Sequence, residues 1–263
     1  MGTPARKTDK NSAIDTGWGE VADEYEAGFI KNPQSYHVTV ILPNLLRIVE
    51  PTKGMRILEV GCGDGFFADA FAKAGAQVVG SDIAKEMVER AKIKNPNIRW
   101  YAAPADKLEF AQDASFDVVV VVLAIQNIEN LSGAIAEAKR VLVPGGSLIF
   151  VLNHPVFRIP KKSSWGWDEE NAVQYRRLDS YLSESSEEID MDPGKSVGKR
   201  ITHSFHRPLQ LYIKVLAKHG FAVVGFEEWI SNKKSQNGPR QAAEDIARKE
   251  FPLFLMMKAQ KLV

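Results

Sequence analysis

The clearest chemistry in the chain sits in Ile57-Leu58-Glu59-Val60-Gly61-Cys62-Gly63-Asp64-Gly65-Phe66-Phe67. Glu59 and the three glycines, Gly61, Gly63 and Gly65, stand at alternate positions. Glycine turns let the backbone approach a ligand closely. Dinucleotide sites use G-x-G-x-x-G, which brings a pyrophosphate to a helix N-terminus. Here Phe66 occupies the place of the third dinucleotide glycine and would crowd a pyrophosphate. Glu59 lies near the end of an apolar run, and a buried carboxylate without a partner is costly or neutralises. A ligand ammonium would supply that partner. These residues point to a nucleoside with a cationic amino-acid end and no phosphates. Asp82 follows Gly61 by about 20 residues, the spacing at which an acidic strand end meets a ribose diol. A carboxylate suits a diol because it accepts two hydrogen bonds; Asp82 could also cap the helix that follows.

These groups need particular elements to hold them. Ile57–Val60 is short, apolar and ended by glycine, as a buried strand is. Phe67, Phe71 and Ala74 then share one helical face. Strand, glycine turn and helix open a doubly wound α/β sheet, in which ligands lie beyond the carboxyl ends of the strands. Upstream, Val21, Tyr25 and Phe29 mark a helix over Gly17–Ile30, and a second helix is expected from Ser35 to Val49, stopped by Pro51. Downstream, strands are expected at Gln77–Asp82, Ile98–Ala102, Val118–Leu123 and Ser147–Leu152, with helices at Ala84–Lys92 and Leu131–Leu142. The run Val118–Leu123 has no alternation and reads as a central strand buried on both faces. Pro144-Gly145-Gly146 reads as a turn before the fifth strand. Pro155 to about Phe205 is polar and irregular, too long for an ordinary connection. It reads as an inserted cover whose aromatic residues either line an acceptor pocket or pack the cover down. Pro208 starts a helix over Leu209–Lys218 that Gly220 stops. Phe221–Trp229 and Leu253–Lys258 close the sheet, with a charged helix in the Arg240–Glu250 connection.

Glu59-Val60-Gly61-Cys62-Gly63-Asp64-Gly65 resembles motif I of the class I S-adenosylmethionine (SAM)-dependent methyltransferases. Arg140-Val141-Leu142-Val143-Pro144-Gly145-Gly146 is similar to the R-x-L-x-P-G-G run of the same family. His154–Phe157 and Phe205–Tyr212 are similar to the His-Pro-x-Phe and Phe-His-Arg-Pro-Leu-x-x-Tyr runs of a bacterial branch acting on small molecules. The resemblance spans roughly residues 15–260 and includes the ubiquinone/menaquinone methyltransferase type. It implies a Rossmann-like, doubly wound, seven-stranded, mostly parallel sheet closed by an antiparallel pair, with the cover inserted between strand five and the last helix. It implies SAM as cofactor and S-adenosylhomocysteine (SAH) as product. It also implies the contacts. Tyr25 comes from a helix folded over the cofactor, or else only packs that helix on the core. Ile83 and Met87 lie on the adenine, and the Ala105 amide and Asp106 read its edge. Pro104 replaces an acidic residue of the family pattern there. The loop Ala124-Ile125-Gln126-Asn127 lies under the methionine portion, with Ala124 and Gln126 as contacts. Cys62 is a small residue filling the turn, although a thiol at a helix N-terminus can also be reactive.

A hydroxyl acceptor needs a base of pKa near the working pH, and histidine is the natural one. His154, after strand five, and His206, before the last helix, are the candidates at the mouth of the crevice. No His/Asp/Glu set has metal-ligand spacing. Lys and Arg number 34 against 33 Asp and Glu, so no global field draws the chain to nucleic acid or an anionic membrane. The single cysteine excludes an internal disulfide and suits a cytoplasmic setting. No apolar run reaches the roughly 18 residues of a membrane span. The expected organisation is a disordered tail over residues 1–14, a SAM-binding core over 15–152, a cover over 153–207 and the rest of the sheet over 208–263. A small-molecule acceptor, methylated on oxygen or nitrogen rather than carbon, and a monomer or homodimer complete the reading. The alternatives are an NAD(P)-dependent oxidoreductase and a non-catalytic SAM-binding protein.

Overall fold

The computed structural model describes residue 18 and residues 32–191 and 200–263. The tail, the Gly17–Ile30 helix apart from Trp18, and Tyr25 lie outside the described residues. The first helix, α1 (Leu42–Val49), is preceded by a π-helical turn, His37–Ile41, so the expected single helix from Ser35 changes register midway. Pro43 explains the change: it has no N–H for the i−4 bond, and the Leu42 amide instead reaches back to the His37 carbonyl.

Next come β1 (Arg56–Val60), α2 (Phe66–Lys73), β2 (Gln77–Asp82), α3 (Lys85–Lys94), β3 (Arg99–Ala102) and β4 (Phe116–Val122). After them follow α4 (Leu131–Val141) and β5 (Leu142–Asn153). β1 pairs in parallel with both β2 and β4, Leu58 lying beside Val79 on one side and Val119 on the other. The chain runs outward from β1 to β3 and then returns to build β4 and β5 on the opposite side. The reversal leaves a crevice beyond the carboxyl ends of β1 and β4. The complete order is β10-β11-β5-β4-β1-β2-β3, with β10 (Phe221–Trp229) and β11 (Phe254–Lys261) antiparallel to each other and β11 antiparallel to β5.

Both faces of the sheet are covered, which is why β4 can be apolar throughout. Leu58, Val119, Val121 and Phe150 face α4 and α5 (Leu209–Lys218). Ile57, Val118, Val120 and Ile149 face α1, α2 and α3 through Leu45, Phe71 and Val88. Pro144-Gly145-Gly146 differs from expectation. It lies inside β5 as an irregularity, since Phe116 pairs with Leu142 while Val118 already pairs with Ser147. Gly145, at φ 74°, absorbs the extra residues.

The segment between β5 and α5 is more regular than its polar sequence suggests. It forms two antiparallel ribbons, β6 (Ser163–Asp168) with β7 (Val173–Leu178) and β8 (Ser185–Asp190) with β9 (Ile201–His206). The first ribbon packs near α6 (Gln241–Glu250), the second against a short helical turn, Ile125–Asn127, just after β4. Among the described residues no helix is long and apolar enough to cross a membrane.

Candidate functional site

A cavity of about 540 Å³ opens at the carboxyl ends of β1, β2 and β4. That lies within the roughly 300–1,000 Å³ of small-molecule sites. One wall is the turn after β1. Gly61, Gly63 and Gly65 all adopt positive φ, at 71°, 53° and 84°. Gly61 needs glycine doubly, because a Cβ there would overlap the Ala124 Cβ. A side chain on Gly65 would strike the Trp100 ring, so this glycine shapes the turn from behind and does not line the cavity. The Ser81 carbonyl accepts from the amides of Gly61 (2.8 Å) and Cys62 (3.0 Å), tying the turn to the end of β2.

Asp82 completes that tie. Its Oδ2 accepts from the Gly63 amide at 2.9 Å and its Oδ1 from the Ala84 amide at 2.9 Å. Burial pushes the Asp82 carboxyl up, and the amides of Ala84, Gly63 and Ile83 pull it back. Glu59 is 1% exposed, and its Oε2 has no hydrogen-bond partner. Burial holds its carboxyl well above the ordinary range, with a bond from the Ala68 amide opposing and Asp64 and Asp82 adding repulsion. Asp64 is itself buried and ion-paired with Lys94. Cys62 is buried, and burial pushes its thiol up, which keeps it protonated and unreactive.

The second wall holds Ile83 and Met87, with Trp18 packed on Ala84 and Met87. Ala103, Pro104, Ala105 and Asp106 continue it. The Asp106 Oδ2 accepts from the Asn130 side chain at 2.7 Å, while Asn130 Oδ1 caps α4 through the Gly133 amide at 3.0 Å. Arg140 holds this loop from behind. Its guanidinium donates to the carbonyls of Ala111 (2.8 Å) and Leu108 (2.9 Å) and to Asp113 and Glu137. The third wall is the end of β4: Leu123, at φ 53°, with Ala124, Asn127 and Ile128. A left-handed non-glycine residue in a cavity wall stores local strain. The roof is the second ribbon, through Ser186, His203 and Phe205.

Of the residues selected from sequence, Glu59, Gly61, Cys62, Gly63, Asp82, Ile83, Met87, Ala105, Asp106 and Ala124 converge on this cavity. Gly65, Gln126, His154 and His206 are not among its described lining residues. Gln126 is buried, with its side-chain amide donating to the Leu123 carbonyl at 2.6 Å. His154 is 1% exposed; its Nδ1 accepts from the Val156 amide at 3.2 Å, so Nε2–H donates to Glu228 at 2.7 Å. Burial pushes this imidazole down despite Glu228. His206 donates from Nε2 to the Tyr181 carbonyl at 2.8 Å. Both histidines pin backbone in place and do not reach the crevice. Trp18, Asn130, Ser186, His203 and Phe205 were not selected; Trp18 and His203 were signalled only by being an aromatic and an imidazole near predicted site elements.

Residues 58–150 match the family model described as a methyltransferase domain. A demethylmenaquinone methyltransferase of Renibacterium salmoninarum is 37% identical over 105 residues, 40% of this chain and 44% of that protein, so the match spans under half its length. An uncharacterized protein of Haemophilus influenzae is 27% identical over 195 residues, 71% of this chain and 72% of that one. The crystal structure of a SAM-dependent methyltransferase from Mesorhizobium loti superposes with a TM-score of 0.65 and 27% identity, over 83% of this chain and 96% of that chain. The chain carries a methyltransferase domain and is a SAM-dependent methyltransferase. SAM is therefore its cofactor. Five carboxyl groups line the cavity of this methyltransferase, those of Glu59, Asp64, Asp82, Asp106 and Glu129, with no Lys or Arg among the described lining residues. An acidic cavity suits a ligand that carries a sulfonium and an ammonium.

Proposed function

We propose that this methyltransferase transfers the methyl group of SAM to an uncharged small-molecule acceptor, on oxygen or nitrogen. The observation that carries the proposal is that one cavity is bounded by both the glycine turn and the second ribbon. A protein that only bound SAM would need the first wall and not the second. The Renibacterium relative, named a demethylmenaquinone methyltransferase, supports a small molecule as acceptor.

The residues present fit SAM. Glu59 supplies a buried, partnerless oxygen for the ammonium, which would relieve the cost of its burial. Asp82, already anchored to two backbone amides, offers its remaining lone pairs to the ribose hydroxyls. Ile83, Met87 and Trp18 would enclose the adenine, and Ala105, Asp106 and Asn130 would stand at its edge. When bound, SAM supplies an electrophilic methyl group on a sulfonium. The chain's own part is to align the acceptor with that methyl, an effect worth up to roughly 7–11 kcal/mol. The ribbon, which lines the cavity through Ser186, His203 and Phe205, would limit the access of water to the filled site. Phe66 at the turn disfavours a dinucleotide pyrophosphate. Isothermal titration with SAM and with NADH tests the proposal: SAM binding is expected, and NADH binding without SAM binding would reject it.

A further inference from the structure

β9 runs over the cavity with strict alternation. His203 and Phe205 line the cavity, whereas the residues between and beside them turn away: Thr202 is 2% and His206 4% exposed. The strand is held firmly. His206 binds the Tyr181 carbonyl, and Arg207 Nη2 donates to the carbonyls of Ile128 (2.8 Å) and Glu129 (2.7 Å), in the loop that forms the adjacent wall. β9 also packs on the Ile125–Asn127 turn. His203 is thus fixed at the β4 side of the crevice, two strands from Asp82 in the order β4-β1-β2. Across the ribbon, Glu188 stands opposite His203 and Ser186 opposite Phe205. Directly opposed residues share a face and lie within about 4.5–5.5 Å at Cβ. The other ionisable groups lining the cavity are the Cys62 thiol, which burial keeps protonated, and five carboxyl groups, those of Glu59, Asp64, Asp82, Asp106 and Glu129. His203 is the one basic side chain among the described lining residues.

We propose that His203 is the general base for an uncharged, acidic hydroxyl acceptor, a phenol or enol, whose apolar body lies against Phe205, Ile128 and Leu123. Glu188 is its positioning residue, orienting the imidazole from the facing strand. This inference rests on the methyl-transfer reading above. As the acceptor oxygen bonds to the methyl carbon, the sulfur–methyl bond breaks and its electron pair stays on sulfur. The hydroxyl proton passes to the imidazole and from there to solvent. A phenol, with a pKa near 10, is within reach of a histidine base, unlike an alkyl alcohol. The acidic walls repel an acceptor that carries a carboxylate or phosphate.

The test uses the full chain saturated with SAH, histidine labelled at Cε1 for NMR, and catechol with its carboxylated analogue, 3,4-dihydroxybenzoate, as probes. The His203 resonance is identified by its loss in His203→Gln. Catechol is expected to move that resonance and leave His37 and His154 in place, and the carboxylated ring to bind about tenfold or more weakly. With methyl-labelled SAM, His203→Gln should lower transfer to catechol by about 10²–10⁴-fold and flatten the acidic limb of the pH–rate profile. Its SAH affinity should stay within about twofold, a shift of under half a kcal/mol. Glu188→Gln should displace that limb with a smaller loss of rate. An unmoved His203 resonance, tighter binding of the carboxylated ring, no transfer to catechol, or equal transfer by His203→Gln would each overturn the proposal. Failure of the wild-type chain to bind SAH would instead overturn the methyl-transfer reading.

Discussion

Replacing Asp82 with alanine separates the structural role of this carboxylate from the ribose contact proposed for it. In the structure its oxygens take the amides of Gly63 and Ala84, both at 2.9 Å. Losing bonds to a charged acceptor costs about 1.5–3 kcal/mol each when the donors stay buried. That cost falls on the free and the bound protein alike, so it belongs to stability. Melting temperature should drop by several degrees, at about 2–4 °C per kcal/mol for a domain of this size. The contact with the ribose falls only on the complex. Its loss should weaken SAH binding by about 1–3 kcal/mol, or about 5–150-fold. Because a distorted turn could also weaken binding, the decisive measurement is a thermodynamic cycle by calorimetry with SAH and its 2′-deoxy analogue. The wild-type chain should lose affinity for the deoxy compound and Asp82→Ala should not, giving a coupling of about 1 kcal/mol or more. An equal deoxy penalty in both proteins, or unchanged SAH affinity in the variant, would refute the ribose role.

Glu59→Gln should stabilise the free protein while weakening SAH binding. A carboxyl whose folded pKa is raised contributes stability that is complete below its unfolded pKa and lost as pH rises through the folded value. Denaturant melts of the wild type should therefore show a loss of stability from about pH 4 upward that the variant lacks. His37 acts in the opposite sense. Burial lowers its pKa from 6.5 to about 4, so the neutral ring's stabilising contribution is complete above 6.5 and disappears as pH falls through that window. The span of about 2.5 units corresponds to about 3 kcal/mol, and His37→Phe should flatten the acid limb of the stability curve. Arg140→Ala removes the donors to Ala111, Leu108, Asp113 and Glu137 and should cost about 2 kcal/mol by thermal melting. It should also speed amide exchange over residues 104–114 and raise the SAH dissociation constant, although Arg140 is not among the residues lining the cavity.

The glycine-turn wall of the cavity was legible because its residues follow short apolar strands in the chain. Glu59, the three glycines and Asp82 stand at or just after strand ends, and a parallel sheet gathers all such ends on one edge. Local spacing therefore carried most of the three-dimensional information. β5 was less legible, because Pro144-Gly145-Gly146 resembles a turn and only the pairing with β4 turns it into an irregular strand. The ribbon wall of the cavity was less legible for a sharper reason. Three histidines, His154, His203 and His206, fall in or beside the stretch that covers the site. His206 belongs to the run that resembles the family, yet it is buried against Tyr181, and the cavity receives His203. The difference is strand parity: in β9 residues 203 and 205 share one face and residues 202 and 206 the other. A shift of one residue exchanges every side chain between faces. The ribbon sequence Ile201-Thr202-His203-Ser204-Phe205-His206 has no apolar alternation that distinguishes the buried face, since threonine and histidine fill it. What sets the parity is a contact distant in sequence, Arg207 clamped on the carbonyls of Ile128 and Glu129. The ribbon residues that line the cavity depend on such a tertiary anchor, whereas those of the glycine turn and the end of β2 depend on strand ends.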